Sequence, residues 1–492
     1  MESLLHLLQP FLSVEVYQTY ADYEVYELFD KKTNEQMGMY TLNEQGELAN
    51  FSLDGEAVTG NLSKQELVSV ADLFIETFHP DKKQEYELSA IIDLDNPYMI
   101  SYEKREDKYG LFLHSEGFTV SVSTNGRVQQ FFYEKEDYQI IYPDRMIPEE
   151  KALETYMEHL NFELIITKFD QEVFKNGDNK LHLSYSVNEH AFDIPADGRE
   201  PAVLKEEIDW KPISPQDAPN DNLYKLIGLT AEHKQLEVFV EGNKRIEIWS
   251  LREANGPVNS DMDEIDPHIT KLCFGQKSGH LLQVTSGEQA DQNGNEIGIE
   301  AAKQKALEVM FKLFPDTDER FRLEVLEDYV EDAEDEAFFE EEKFEEISNS
   351  LVEGLEEIGV EGSIEDDIEF EDNYTFYFHL MFNGVRVDDC VSIIGIGKHS
   401  GKVNHFQLNV LEEADYQQLT SMPVISQEEA KRIYKDLLKM ELLFVREYDE
   451  TYKALYTLSY GPSFPKTIGH VRALDAITGK AMYVDVGDAT FY

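Results

Sequence analysis

The stretch LSKQELVSVADLFIETFHPD, Leu62–Asp81, decides how this chain is organised, because its pattern returns 235 residues later. Leu67, Val70, Ala71, Phe74, Ile75 and Phe78 fall on one face at helical spacing. Ser63 and Glu66 make a capping box at its start. At the later position Ala302, Ala306, Val309, Met310 and Leu313 rebuild the face, and Pro315 and Asp316 match Pro80 and Asp81 in place and identity. Two more blocks recur in the same order. IPEEKALETYMEHL (Ile147–Leu160) matches ISQEEAKRIYKDLL (Ile425–Leu438) at an offset of 278, which aligns Ala152 with Ala430 and Tyr156 with Tyr434. Each leads into alternating residues, Leu181–Val187 and Leu455–Tyr460, of the kind that half-buried antiparallel strands need. Upstream, Gly46, Leu48 and Phe51 parallel Gly279, Leu281 and Val284 at an offset of 233.

Recurrence in a fixed order predicts two tandem halves, residues 1–208 and 223–492, with the polar, three-proline stretch Asp209–Asn222 as linker. The first half is expected to hold N-terminal strands and two repeat units, about 61–145 and 146–208. The second is expected to hold strands over 223–298 and units at about 299–412 and 424–492. Gly117 in SEGFTV, set against Gly384 in FNGVRV, raises the offset to 267 and predicts a 32-residue insertion between Asp316 and Gly384. That interval contains the densest charge in the chain, with 22 acidic residues and one basic residue over Glu327–Asp372. Phe344, Ile347, Leu351, Leu355 and Ile358 run through it at helical spacing. It reads as a helix among acidic loops, either solvated against its own domain or a docking arm for a basic partner.

VISQEEAKRIY (Val424–Tyr434), followed by HVRALDAITGKAMYVD (His470–Asp485), resembles the PepSY pattern of a capped helix and a closing D-A-x-T-G-x hairpin. FNGVRVDDCVSIIGIGKHSGKVNHF (Phe382–Phe406) is similar to the longer version in the YcdB/YcdC repeated-domain family. In the first half EGFTVSVSTNGRVQQFFY (Glu116–Tyr133) keeps the strand–turn–strand, and FDIPADGRE (Phe192–Glu200) is a degenerate closing hairpin. Ser63 and Ser426 hold the capping place that Pro148 and Gly298 take in the other two units. The resemblance implies an α+β fold of tandem PepSY-like units, each a helix packed on a small antiparallel sheet, arranged as two duplicated halves. It also implies a non-catalytic module that binds protein or inhibits a peptidase, with no active site to transfer.

Composition narrows the partners. The 492 residues carry 43 Lys and Arg against 99 Asp and Glu, a net charge of −56. Binding nucleic acid or anionic lipid takes clustered cations, so both are disfavoured. Aromatic residues at 12% argue for a packed core over an acidic disordered chain. The N-terminus lacks a basic region and cleavage site, and no apolar run reaches spanning length, so the expectation is a cytoplasmic protein. Cys273 and Cys390 are expected to be buried free thiols.

Gly395-Ile396-Gly397-Lys398-His399-Ser400-Gly401 superficially suggests a phosphate loop, yet it has neither Walker nor dinucleotide spacing and strand follows it, so a hairpin turn is expected. The thirteen histidines, among them His159, His182, His190, His268, His280, His399, His405 and His470, are scattered and form no H-E-x-x-H. Asp261, Asp263 and Asp266, and likewise Asp291, Asn293 and Asn295, offer oxygens at calcium-like spacing but fail the EF-hand template. Weak divalent-cation binding ranks below solvated turns there. The expectation is therefore no catalytic, cofactor or metal residue, and a protein or peptide partner. The alternatives are a hydrolase with a dispersed site between the halves, or an acidic mimic of nucleic acid.

Overall fold

The computed structural model describes residues 4–491 except 22–24, 56, 95, 206–207, 253–257, 288–294, 326–370, 450, 468 and 485–489. The architecture is mixed α+β and mostly sheet. Four long helices stand where the periodicity places them: α1 (Lys64–Phe78), α2 (Glu149–His159), α3 (Ile299–Leu313) and α4 (Gln427–Leu437). On α1 the Ser63 hydroxyl accepts the Glu66 N–H and the Glu66 carboxylate accepts the Ser63 N–H, the reciprocal cap read from the sequence. Ser426 caps α4 through the Glu429 N–H. Leu67, Ala71, Phe74 and Ile75 of α1 are fully buried.

Two compact units form. The first comprises Met1–Glu163, Phe169–Glu206 and Pro423–Tyr492; the second comprises Leu164–Lys168 and Glu207–Met422. These units cut across the expected halves, since the last repeat unit, 424–492, packs with the first half. The cause is visible in the helix faces: Tyr434 of α4 meets Tyr156 of α2, and Lys431 donates to the Leu160 carbonyl at 2.6 Å. The expected linker is also more than a tether. Trp210–Pro212 is a strand paired with Phe321–Val325, and Lys312 donates to the Pro219 carbonyl at 3.1 Å.

Each unit contains a sheet of the same strand order. In the first unit Val16–Tyr20, Val25–Asp30, Gln36–Leu42 and Leu48–Leu53 follow in sequence, and α1 then crosses the sheet. Glu87–Asp93, Tyr98–Arg105, Phe112–Val122 and Val128–Glu134 return, so that the last of them pairs with Leu48–Leu53. In the second unit Lys234–Glu241, Lys244–Ser250, Ile269–Gly275 and Leu281–Ser286 precede α3. Phe321–Val325, Asn373–Phe382, Val385–Gly397 and Val403–Gln407 return against Leu281–Ser286. The junction is apolar in both, with Phe51 opposite Phe131 and Val284 opposite Phe406, all buried. The shared order runs over eight strands, within sheets of nine and fourteen strands, larger than the small sheet expected for each unit.

The shared order corrects one alignment. Gly117 lies inside Phe112–Val122, where a Cβ would sit 2.0 Å from the Tyr102 carbonyl oxygen. Gly384 sits instead in a hairpin turn at φ +82°, and its counterpart is Gly110 at φ +71°. The offset thus rises from 235 to 274, which makes the insertion 39 residues long where the sequence matching gave 32. Most of the acidic stretch Glu327–Asp372, including its expected helix, lies outside the described residues.

The first unit also holds strands of two other sheets. Ala454–Ser463 pairs antiparallel with Lys439–Tyr448 and with Ile194–Pro195, and Tyr138–Ile141 joins it in parallel. Leu181–Ala191 pairs antiparallel with His470–Asp475, which pairs in turn with Ala481–Val484.

Candidate functional site: ion-holding turns and a cationic pocket

A five-residue turn recurs through both units. Its fifth residue adopts positive φ, at Asn34 (+61°), Gly110 (+71°), Gly279 (+69°), Gly401 (+61°) and Gly479 (+72°), and its N–H closes on the carbonyl of the first. Backbone N–H groups at the third and fourth positions then converge and attract an anion. The first residue supplies it in three cases. Asp30 accepts from Lys32 and Thr33, Glu106 from Lys108 and Tyr109, and Asp475 from Ile477 and Thr478.

The loop that suggested a phosphate site is another such turn, between Val385–Gly397 and Val403–Gln407. Its first residue, Gly397, has no carboxylate of its own. Glu371, at the end of the acidic stretch, fills the place: its Oε1 accepts the His399 and Ser400 N–H groups at 2.5 Å each. Its Oε2 accepts from Asn404 Nδ2 at 3.1 Å. Burial opposes the charge, but hydrogen bonds from the Ser400 hydroxyl and N–H, Asn404 and the His399 N–H outweigh it and hold the carboxyl below its ordinary range. The fifth turn, Gly275–Gly279, has no acid at its first position.

The acidic loop at Asp261–Asp266 is filled in the opposite sense. Lys271, 1% exposed, reaches into it from the strand Ile269–Gly275. Its Nζ donates to the Asp261 and Glu264 carbonyls at 2.7 and 2.9 Å and pairs with the Asp266 carboxylate at 2.5 Å. An ammonium thus stands among the oxygens that spacing had suggested for a cation. Of the other loop, Asp291 and Asn293 lie outside the described residues. Among the described residues no cluster of His, Cys, Asp or Glu is arranged to hold a metal.

Several other reactive groups are engaged by the fold. Both cysteines are free and buried, as expected; burial raises the Cys273 thiol and, with Asp389 and Asp388 nearby, pushes Cys390 up to about 11. His379 pairs with Glu324 at 2.6 Å, and His182 bridges Asp475 and Asp178 at 2.8 and 3.0 Å. His79 bonds the Leu48 carbonyl at 2.8 Å within an aromatic cluster.

Concave places are also present among the described residues, one of them, of about 440 Å³, lined by Lys104, Lys108 and Tyr142 of the first unit. In the second unit a cleft of about 860 Å³ opens beside Gly275–Gly279, lined in part by Lys277, His280, Arg320 and Tyr416. Arg320 there is tied to Asp316 at 2.9 Å, and His280 lies edge-on to Phe314. In the first unit a pocket of about 390 Å³ lies over the two helical tyrosines. Tyr156 and Tyr434, 1% and 2% exposed, face each other with hydroxyl oxygens 3.3 Å apart. Burial raises both phenols above their ordinary value, so both stay neutral. His190, His470 and Arg472 line the walls together with Asp193. Burial, then the Arg472 charge, lowers the basicity of both imidazoles.

Comparison with known proteins meets this geometry at its first sheet. Residues 15–135 match the YcdB, YcdC repeated domain. The matched span covers the first eight strands and α1, so the resemblance to the YcdB/YcdC repeated domain holds there, while the PepSY-like motifs Val424–Tyr434 and His470–Asp485 lie outside it. The chain is 27% identical over 474 residues to the uncharacterized protein YcdB of Bacillus subtilis (strain 168), covering 90% of this chain and 87% of YcdB. It is 20% identical over 457 residues to the uncharacterized protein YcdC of the same strain, covering 90% of each. Among solved structures, the Bacillus megaterium YpeB C-terminal domain matches 42% of this chain and 98% of its own, at 19% identity and a TM-score of 0.25.

The sequence had no signal for Glu371 as a turn ligand, because its turn lies 28 residues on, or for Lys271 as a loop filler, because spacing does not say that the loop folds back over its strand. Tyr156 and Tyr434 were singled out as a repeat pair, and the repeat alignment was itself the signal that they could meet. No helix among the described residues is long and apolar enough to cross a membrane.

Proposed function

We propose that this chain is a non-catalytic interaction module of PepSY-like repeats that captures a basic protein or peptide, a peptidase among the candidates, in the cytoplasm. The observation that supports it is the use made of reactive groups: Glu371, Lys271, His379 and His182 all complete turns, loops or ion pairs of the fold. The chain as a whole carries a net charge of −56, which steers basic partners at low ionic strength and fades as salt screens it. The acidic stretch 327–370 is the feature one copy has and the other lacks.

The test compares the full chain with a variant in which 327–370 is replaced by a short Gly-Ser linker. Glu371 is retained, because it holds the turn at Gly397–Gly401. Basic proteins are captured from the source cell's lysate at low and high salt. The module reading expects a discrete partner held at low salt, released at high salt and held less by the shortened chain. Equal retention by both chains at both salts defeats the docking-arm assignment, and hydrolysis of a peptide substrate by the purified chain defeats the non-catalytic one.

A further inference from the structure

The pocket over Tyr156 and Tyr434 presents a guanidinium, that of Arg472, beside two imidazoles in a strongly anionic protein. Arg472 makes no hydrogen bond or ion pair to any described residue, although 99 carboxylates are distributed over the chain. Its position is built by a register shift: Val471 pairs with Tyr483 and Ala473 with Met482, so Arg472 is the extra residue of a β-bulge. Bulges of this kind re-aim a side chain at the cost of a ladder pair. His470 and His190 lie tilted against Phe464 and Phe192, and neither imidazole has a hydrogen-bond partner among the described residues.

The floor adds one more donor. Two neutral phenols facing each other share one hydrogen bond, so one O–H donates and the second is left without an acceptor among the described residues. Leaving such a donor unpaired in a buried place is costly, and an acceptor entering the pocket relieves it. Val187, Leu443, Val445, Pro462 and Phe464 supply apolar wall around these groups. A volume of about 390 Å³ lies within the range of small-molecule sites.

We infer that this pocket binds an organic carboxylate carrying a compact apolar body, with Arg472 as the ion-pairing group and the Tyr156–Tyr434 pair and the two histidines as hydrogen-bond donors. A guanidinium is the side chain best shaped to take a carboxylate in two parallel hydrogen bonds. The apolar wall takes the organic part, which distinguishes the ligand from inorganic phosphate. Asp193, also in the lining, disfavours a second negative charge on the ligand. This assignment stands independently of whether the acidic surface captures a basic protein.

The probes are N-acetyl-leucine and its uncharged amide, with inorganic phosphate and a leucine-terminated peptide as further arms, each titrated into the full chain by calorimetry. The carboxylate binds and the amide binds at least about tenfold more weakly, the difference one lost charged hydrogen bond makes. Binding of the peptide as tight as that of the free acid assigns the site to chain termini, and binding of the free acid alone assigns it to small acids. Arg472→Met, at an exposed position, lowers affinity by about tenfold or more with the melting temperature of the free chain read alongside, and Arg472→Lys recovers part of it. Equal binding of acid and amide, phosphate binding better than either, binding unchanged by Arg472→Met, or no binding by any probe overturns the inference.

Discussion

Replacing Glu371 by alanine should loosen the turn at Gly397–Gly401, and a second change should restore it. The wild-type carboxylate accepts two backbone N–H groups at 2.5 Å and one Asn404 N–H at 3.1 Å. Hydrogen bonds to a charged acceptor contribute about 1.5–3 kcal/mol each, and they act as a unit here, so Glu371→Ala should cost about 3 kcal/mol. Glu371→Gln keeps an oxygen for the two N–H groups but turns an amide N–H toward the Asn404 donor, which should cost about half as much. Gly397→Asp alone should also destabilise, because a Cβ there lies 2.2 Å from Glu371 Oε2. With Glu371 removed, that aspartate takes the place Asp475 holds in its own turn, accepting the N–H groups two and three residues on. The double variant Glu371→Ala/Gly397→Asp should therefore be more stable than either single one, a coupling of opposite sign to simple addition. Hydrogen exchange at the His399 and Ser400 amides reads the turn directly, and thermal melting reads the unit. Additive losses in the double variant would refute the idea that Glu371 stands in for a missing turn acid. The pH dependence has a definite sign. The folded carboxyl lies below its unfolded value of about 4.3, so its contribution is complete above that value. It is lost as pH falls through the lower folded value.

Three further outcomes follow from the same contacts. Lys271→Met removes the ammonium from the Asp261–Asp266 loop and leaves the buried side of Asp266 without its cation, which should cost about 3 kcal/mol in chemical denaturation. Ser63→Ala removes the α1 cap and should cost about 1 kcal/mol, with Ser63→Asp close to neutral in the same melt. Carboxylate binding at the Arg472 pocket should tighten as pH falls from about 7.5 to about 5.5, because a bound anion favours protonated His190 and His470. Both imidazoles are lowered in the free protein by burial and then by Arg472, and Asp193, Tyr156 and Tyr434 are the other titratable groups facing them. Calorimetry across that range reads proton uptake on binding, and affinity falling with acidification would count against the donor roles of the histidines.

Local signals in the sequence were strong where a single segment contains both partners. The Ser63–Glu66 box and the α1 face are contacts within a few residues and were readable as spacing, while the Asp475–Gly479 turn was marked only by the resemblance to the PepSY closing hairpin. Gly117 and Gly384 were mismatched because alternating strand residues look alike when slid along the strand; only pairing partners reveal which glycine sits in a turn. Lys271 sits in ITKLCFG, where period-2 alternation says it faces away from its neighbours but not that a loop folds over it. Glu371 was counted into an acidic run whose average hid the one member with a fixed partner. The pocket draws His190 and Arg472 from positions 282 residues apart, a distance over which composition and periodicity carry no information.

The membership of Pro423–Tyr492 in the first unit also sets the order in which that unit can be completed during synthesis. When residue 208 leaves the ribosome, α2 has no α4 to cover Tyr156 and Ala152, and Leu181–Ala191 has no His470–Asp475 to pair with. The whole second unit must be made first, which takes about 10–40 s at typical translation rates. During that interval an apolar helix face and an open strand edge of the first unit are exposed to other nascent chains. A fragment ending at the proline-rich stretch would keep those surfaces bare permanently, whereas adding 423–492 as a separate peptide supplies the missing strand and helix in trans. The chain's two ends are thus one folding partnership, and its middle is a timer set between them.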